Sequence, residues 1–282
     1  MRIEVKGLTH VYSEGMPFET VALEDVNFVL EPGSFTGLIG HTGSGKSTLI
    51  QHLNGLLRPM EGAVIVDGVN IADKSDAARA LRRKIGLVFQ YPEHQLFEET
   101  VLKDVCFGPK NLGCTQDECE ERALHALSLV GLDGKAFQDR SPFGLSGGEK
   151  RRVAIAGVLA MEPDVLILDE PTAGLDPAGH RSILDMVRQI KRERDLSILL
   201  VTHNMDDVAR LADHVLVMQS GRLVMEGTPL EIFSEDAKLQ TLGLSLPQAT
   251  RLMNMLAERG CDVRTDILTL QEAEEEIVRA FI

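Results

Sequence analysis

Phe35-Thr36-Gly37-Leu38-Ile39-Gly40-His41-Thr42-Gly43-Ser44-Gly45-Lys46-Ser47-Thr48 is the stretch that decides the fold. Phe35 to Ile39 reads as a short buried strand, and Gly40 to Gly45 as a glycine-rich loop. A helix is expected from Lys46, with Leu49, Ile50 and Leu53 at helical spacing. The loop fits G-x-x-x-x-G-K-[ST], and it stands in the strand–loop–helix context that the pattern needs. Its glycines let the backbone wrap so that several N–H groups point at one phosphate, and the helix start adds its positive end.

On that pattern Gly40, His41, Thr42, Gly43, Ser44, Gly45, Lys46, Ser47 and Thr48 are candidate phosphate-binding positions. Lys46 is expected to reach β- and γ-phosphates, and the Ser47 hydroxyl to ligate Mg²⁺. Val165-Leu166-Ile167-Leu168 is a continuous apolar run, the signature of a strand buried on both faces. It delivers Asp169 and Glu170 to the carboxyl edge of a sheet, where α/β proteins bind ligands. Asp169 is placed to hold Mg²⁺, and Glu170 to orient or deprotonate an attacking water. Leu145-Ser146-Gly147-Gly148-Glu149 opens a further helix and offers a second anion-binding helix end.

Working outward, Ile3, Val5, Val21, Leu23, Val26, Phe28 and Leu30 alternate as strands do. Gly62 to Gly68 reads as a strand ending in an Asp-Gly turn, and Ile85 to Gln90 as another buried strand. Residues 100 to 160 are mainly helical in pattern. Helix 177–195, strand 197–201, helix 204–212 and strand 214–218 then alternate, which implies a largely parallel sheet. Beyond about 237 the pattern is a helix over Leu239 to Glu258, a short strand near Val263 to Leu270 and an acidic helix.

The chain has 282 residues, 44% hydrophobic and 26% charged, a composition that argues against disorder. Lys and Arg number 29 against 43 Asp and Glu, for a formal net charge of −14. With aromatics at 4% and no Trp, a nucleic-acid surface is poorly supplied. The N-terminus carries charges where a secretory signal would be apolar, and no apolar run approaches the ~20 residues of a membrane span. Cys106, Cys114, Cys119 and Cys261 form no C-x-x-C pair and are expected to be reduced packing residues.

These motifs, in this order, resemble the ATP-binding subunit of an ATP-binding cassette transporter over about residues 1 to 235. The resemblance implies ATP and Mg²⁺ as ligands. It implies that Ser146, Gly147, Gly148 and Glu149 close over the nucleotide held by a second subunit. Gln90 resembles the glutamine that touches Mg²⁺ and the attacking water, and His203 the histidine that bonds the γ-phosphate. Tyr12 resembles the aromatic that stacks on adenine, and Asp176, in Ala173-Gly174-Leu175-Asp176, the loop that crosses the dimer interface. The implied catalytic set is Glu170, His203 and Lys46, with Ser47, Gln90 and Asp169 around Mg²⁺.

Gly15-Met16-Pro17-Phe18-Glu19, Gln51-His52-Leu53-Asn54-Gly55, Gln90-Tyr91-Pro92-Glu93-His94-Gln95-Leu96-Phe97 and Phe107 to Gly113 are similar to the ATPases of energy-coupling factor transporters, most of all to the second of two paralogous subunits. The signature reads Gly-Glu-Lys where a Gly-Gln variant is expected, which leaves the Ser-Gly-Gly contact intact. The fold expected is α/β. It has a P-loop NTPase core with a mainly parallel sheet, an N-terminal antiparallel β part, a helical subdomain at about 95–160 and a small C-terminal α+β appendage. Domains are expected at 1–236 and 237–282. Expected partners are a second ATPase subunit (paralogue or self), a transmembrane coupling subunit and a substrate-binding membrane subunit, with no nucleic acid. The expected location is the cytoplasmic face of the membrane, as a peripheral protein importing vitamins or other micronutrients. Tyr91, Leu96 and Phe97 either belong to the core or line a groove for a cytoplasmic helix of the membrane partner. A non-transport cassette ATPase, a related cobalt/nickel importer subunit and a phosphate-loop kinase are the rival readings.

Overall fold

The computed structural model describes residues 1–281, and residue 282 lies outside them. Chain order begins with β1 (Ile3–Tyr12), β2 (Thr20–Leu30), β3 (Phe35–Ile39), α1 (Lys46–Leu53), β4 (Glu61–Val66) and β5 (Val69–Asn70). It continues with α2 (Asp76–Arg82), β6 (Ile85–Val88), a 3₁₀ turn at Pro92–Gln95, α3 (Val101–Asn111), α4 (Gln116–Leu129), α5 (Gly134–Phe137) and α6 (Gly147–Leu159). The rest is β7 (Val165–Asp169), α7 (Pro177–Glu193), β8 (Ser197–Val201), α8 (Met205–Leu211), β9 (His214–Gln219), β10 (Arg222–Gly227), α9 (Pro229–Ser234), α10 (Asp236–Thr241), α11 (Gln248–Glu258) and α12 (Leu270–Phe281).

A four-stranded antiparallel sheet has the order β2-β1-β4-β5, and a six-stranded sheet the order β10-β9-β3-β8-β7-β6. The strands from β9 to β6 are parallel, and only the edge strand β10 runs antiparallel. This is the α/β architecture expected, with its antiparallel N-terminal part. The apolar runs of β7 and β8 alternate between two cores. Val165 and Ile167 face the layer shared with α1 and the antiparallel sheet. Leu166 and Leu168 face the helical side built by α3, α4, α6 and α7. Burial on both faces is why these strands read as unbroken hydrophobic stretches.

The C-terminal region departs from expectation. The helix expected over Leu239 to Glu258 is broken, because Gly243 takes a left-handed φ of 70° and Pro247 follows. No strand forms at Val263 to Leu270, so the appendage is helical rather than α+β. Its amides are claimed by side chains instead: Arg264 N donates to Glu276, and Leu268 and Thr269 N both donate to Glu272. Leu239, Leu242 and Leu246 pack with Ile39, Val217 and Phe233 of the cassette, whereas Ala249, Met253, Ile267 and Ala273 form a separate small cluster. This packing crosses the boundary expected at 236/237: residues 239–246 lie against the cassette, and Leu268 packs against the same cluster. Among the described residues no helix is long and apolar enough to cross a membrane.

Ending the chain at residue 236 should cost on the order of 5 kcal/mol more than ending it at 246, because three buried leucines are lost at about 1.5–3 kcal/mol each. Urea unfolding of the two truncated proteins measures the difference, and equal stabilities would refute the placement of residues 239–246 in the cassette core.

Candidate functional site

Four neighbouring parallel strands end at one edge, and each delivers a predicted residue there. Register aligns Leu38 of β3 with Val201 of β8, Asp169 of β7 with Val201, and Val88 of β6 with Leu168. The phosphate loop, His203, the Asp169-Glu170 pair and Gln90 therefore converge, as ligand sites of open α/β sheets do. They line a cleft of about 540 Å³ together with Tyr12, Thr20, Val21 and Ala22. Thr42, Gly43, Gly45, Lys46, Ser47 and Thr48 form its loop wall.

The loop needs its glycines. Gly40 and Gly45 have φ of 154° and 102°, and a Cβ on either would meet a backbone oxygen, of Met218 at 2.4 Å or Ala22 at 2.6 Å. No side chain caps α1, so its first-turn amides remain available to an anion. Lys46 Nζ donates to Gly40 O at 2.7 Å and His41 O at 2.9 Å. Burial lowers its pKa, while the charges of Glu170 and Asp169 oppose the shift.

Asp169 is 8% exposed, and burial pushes its pKa up to about 6, helped by the Glu170 charge and opposed by Lys46 and the Ser47 hydroxyl. Glu170 points apart from it because its backbone turns left-handed, φ 46°, held by a bond from its N–H to Val201 O at 2.9 Å. Such a conformation costs a non-glycine residue of order 1–3 kcal/mol and gathers at functional sites. Gln90 Nε2 donates to Glu170 Oε2 at 2.9 Å, and His203 Nδ1 donates to Oε1 at 3.1 Å. The carboxylate is thus bracketed from two strands. Ser47, Gln90 and Asp169 present a hydroxyl, an amide oxygen and a carboxylate. That hard, oxygen-only set suits Mg²⁺, which takes few protein ligands and completes its shell with phosphate and water.

Tyr12 ends β1 half-exposed at the cleft, its hydroxyl 3.4 Å from Thr48 Oγ1. Sequence reading missed what backs it. His10 meets Tyr12 edge-to-face at 4.6 Å and His52 at 4.8 Å. His10 Nδ1 and both His52 nitrogens are buried without hydrogen-bond partners. Burial, reinforced by His10, pushes the His52 imidazole down to about 4, and the backbone at Leu57 opposes this only in part. The period-2 placement of His10 and Tyr12 was visible in the sequence, but their meeting with α1 was not.

Ser146, Gly147, Gly148, Glu149 and Asp176 do not line the cleft. Ser146 caps α6 in a capping box with Glu149: Glu149 N donates to Ser146 Oγ at 3.3 Å, and Ser146 N donates to Glu149 Oε2 at 2.8 Å. Asp176 caps α7 by accepting from Gly179 N at 2.7 Å. Capping accounts for Ser146 and Glu149 but not for Gly147 and Gly148, where a Cβ would meet nothing within 4 Å.

The family model of ABC transporters matches residues 23–173. The energy-coupling factor transporter ATP-binding protein EcfA2 of Clostridium tetani is 52% identical over 281 residues, 100% of this chain and 98% of that protein. EcfA2 of Symbiobacterium thermophilum is 55% identical over 273 residues, 97% of this chain and 94% of that protein. Among solved structures, cbiO1 of Clostridium perfringens, part of the ABC transporter complex cbiONQ, superposes with a TM-score of 0.75 at 41% identity, covering 89% of this chain and 98% of that one. An ATP-binding cassette solved as a dimer in a post-hydrolysis state with ADP and Pi gives 0.71 at 30% identity, covering 80% and 98%.

The depressed His52 pKa sets an acid limit on the fold. An unfolded imidazole takes a proton near pH 6.5, while the folded one resists until about 4, so stability is full above pH 6.5 and falls between those values. The integrated loss is about 3 kcal/mol. Urea unfolding at pH 7 and pH 4.5 should show it, and His52→Leu should flatten the difference; an unchanged pH slope in that variant would rule the cause out.

Proposed function

The chain belongs to the ABC transporter family as an ATP-binding protein of the energy-coupling factor type, and from that premise we propose that it is the motor subunit whose ATP-driven closure powers import of vitamins or other micronutrients. The observation that carries the site assignment is Glu170 held between Gln90 and His203 at the mouth of the phosphate loop. In this reading adenine stacks on Tyr12, the loop amides and Lys46 take the phosphates, and Glu170 orients the attacking water. Asp169, Ser47 and Gln90 would hold Mg²⁺, which when bound would offset charge developing on the phosphates. His203 holds the γ-phosphate from its outer nitrogen while its Nδ1 steadies Glu170.

The two signature glycines support dimer action. Nothing in their own chain crowds them, so the reason for leaving out a side chain there lies with what approaches from outside. A second ATPase subunit, paralogue or self, presents its nucleotide to that tip, and this chain's nucleotide meets the partner's. The γ-phosphate then bridges two surfaces, and its removal by hydrolysis releases them.

The groove expected after Gln90 divides between the two readings. Leu96 is 8% exposed and packs in the core while also lining the hollow, Tyr91 is 42% exposed and stacks on His94 away from it, and Phe97 is 55% and Phe107 44% exposed. These two rings meet edge-to-face at 4.9 Å beside a hollow of about 370 Å³ lined by Leu112, Val153, Val158 and Met161. We assign this hollow to a cytoplasmic helix of the transmembrane coupling subunit, which places the chain peripherally on the cytoplasmic face of the membrane.

Glu170→Gln should lower ATP turnover about 10²–10⁴-fold while MgATP affinity stays within a few-fold; steady-state hydrolysis and equilibrium nucleotide binding measure this, and undiminished hydrolysis would remove Glu170 from the role. Phe97→Glu should abolish co-purification with the membrane subunits while the free subunit keeps its ATPase activity, whereas Leu96→Glu should unfold the chain. A Phe97→Glu protein that still assembles would displace the groove as the docking site.

A further inference from the structure

Arg151 heads the fully buried side chains by size, with 2% of its side chain exposed. It stands within α6, five residues after Ser146, and each of its three guanidinium nitrogens donates a hydrogen bond. Nε and Nη2 donate to Glu93 Oε2 and Oε1 at 3.1 and 2.8 Å. Nη1 donates to Pro171 O at 3.0 Å and Ala173 O at 2.8 Å. Burial alone would raise the Glu93 pKa, but the hydrogen bond and charge of Arg151 outweigh it and hold that carboxyl below its usual range.

The three segments joined here each carry a residue of the nucleotide machinery. Glu93 lies in the 3₁₀ turn that follows Gln90 and runs on to Leu96 and Phe97. Pro171 and Ala173 follow Glu170 and lead to Asp176. Arg151 itself belongs to the helix whose tip is Ser146-Gly147-Gly148. A lysine could not replace it, because one ammonium lacks the planar fork that serves a carboxylate and two carbonyls together.

We propose that Arg151, paired with Glu93, is a positioning residue for hydrolysis: it makes the signature helix, the Gln90 turn and the loop after Glu170 move as one body. Seating of the signature tip on a neighbour's nucleotide then sets Gln90 and Glu170 in the same motion. This inference rests on the motor reading given above.

The test uses the full-length chain within the membrane complex that co-purifies with it, comparing wild type, Glu170→Gln, Arg151→Lys, Glu93→Gln and the double variant Arg151→Lys/Glu93→Gln. Melting temperature, MgATP affinity, KM and kcat are measured for each. The expected result is folded variants with MgATP affinity and KM within about twofold of wild type and kcat at least about tenfold lower. The double variant should be no slower than the slower single one, since both break one clasp. Wild-type kcat in the folded single variants, or losses that multiply in the double variant, would overturn the proposal. So would a kcat loss matched by an equal rise in KM. Should Arg151→Lys not fold, Glu93→Gln alone decides on the same kcat criterion; failure of both to fold also overturns it, leaving a core ion pair only. Hydrolysis absent from wild type, or undiminished in Glu170→Gln, would strike the motor reading instead and is read separately.

Discussion

The parallel hydrogen-bond ladder joining β3, β8, β7 and β6 is the constraint on which the site depends. Side chains in a sheet alternate with a period of two, so a slip of one residue would turn every one of them to the opposite face. In β7 such a slip would put Val165 and Ile167 where Leu166 and Leu168 now pack, and would turn Asp169 away from Lys46. Burial on both faces fixes the register, because neither core accepts a polar substitute. The chemistry at the carboxyl edge is therefore held in place by apolar packing several residues away.

That edge concentrates opposing charge on two buried side chains, Asp169 and Lys46. Asp169 and Glu170 repel one another, and Lys46 balances them while bonded to its own loop carbonyls. A triphosphate adds negative charge to the same cleft. Lys46 and the amides at the start of α1 that no side chain caps are the groups of this chain that offset that charge. The strained backbone at Glu170 has its place in this balance, since it separates two adjacent carboxylates so that Asp169 faces Lys46 and Ser47 while Glu170 faces Gln90 and His203.

The Ser146-Gly147-Gly148 tip and the hollow beside Phe97 lie outside that cleft, yet both are fastened to it through α6. Arg151 joins this helix to the turn after Gln90 and to the loop after Glu170 by four hydrogen bonds made in a buried setting. Breaking a buried pair on one side typically costs 3–5 kcal/mol, so these segments resist independent motion. A motor that passes a signal from nucleotide to membrane gains from such stiffness, because small shifts at one end are not absorbed on the way.

What the sequence by itself determined was local. Strand, loop and helix from Phe35 to Thr48, the acidic end of β7 and the helix start at Ser146 depend on residues within a few positions of one another, and their patterns are written at periods of 2 and 3.6. The order of those patterns was enough to place the family and the α/β fold. Tertiary structure alone decided the rest, because it depends on which distant segments meet. The Arg151–Glu93 pair spans 58 residues and the Gln90–Glu170 bond 80, and neither leaves a periodic trace. Leu96 and Phe97 are adjacent and alike in hydrophobicity, yet one is core and the other surface, since only the packing of α3 against α6 distinguishes their directions. The strand expected at Val263 to Leu270 fails for the same reason: alternation in sequence makes a strand possible, but a ladder needs a neighbour, and here carboxylates from α12 took the amides first.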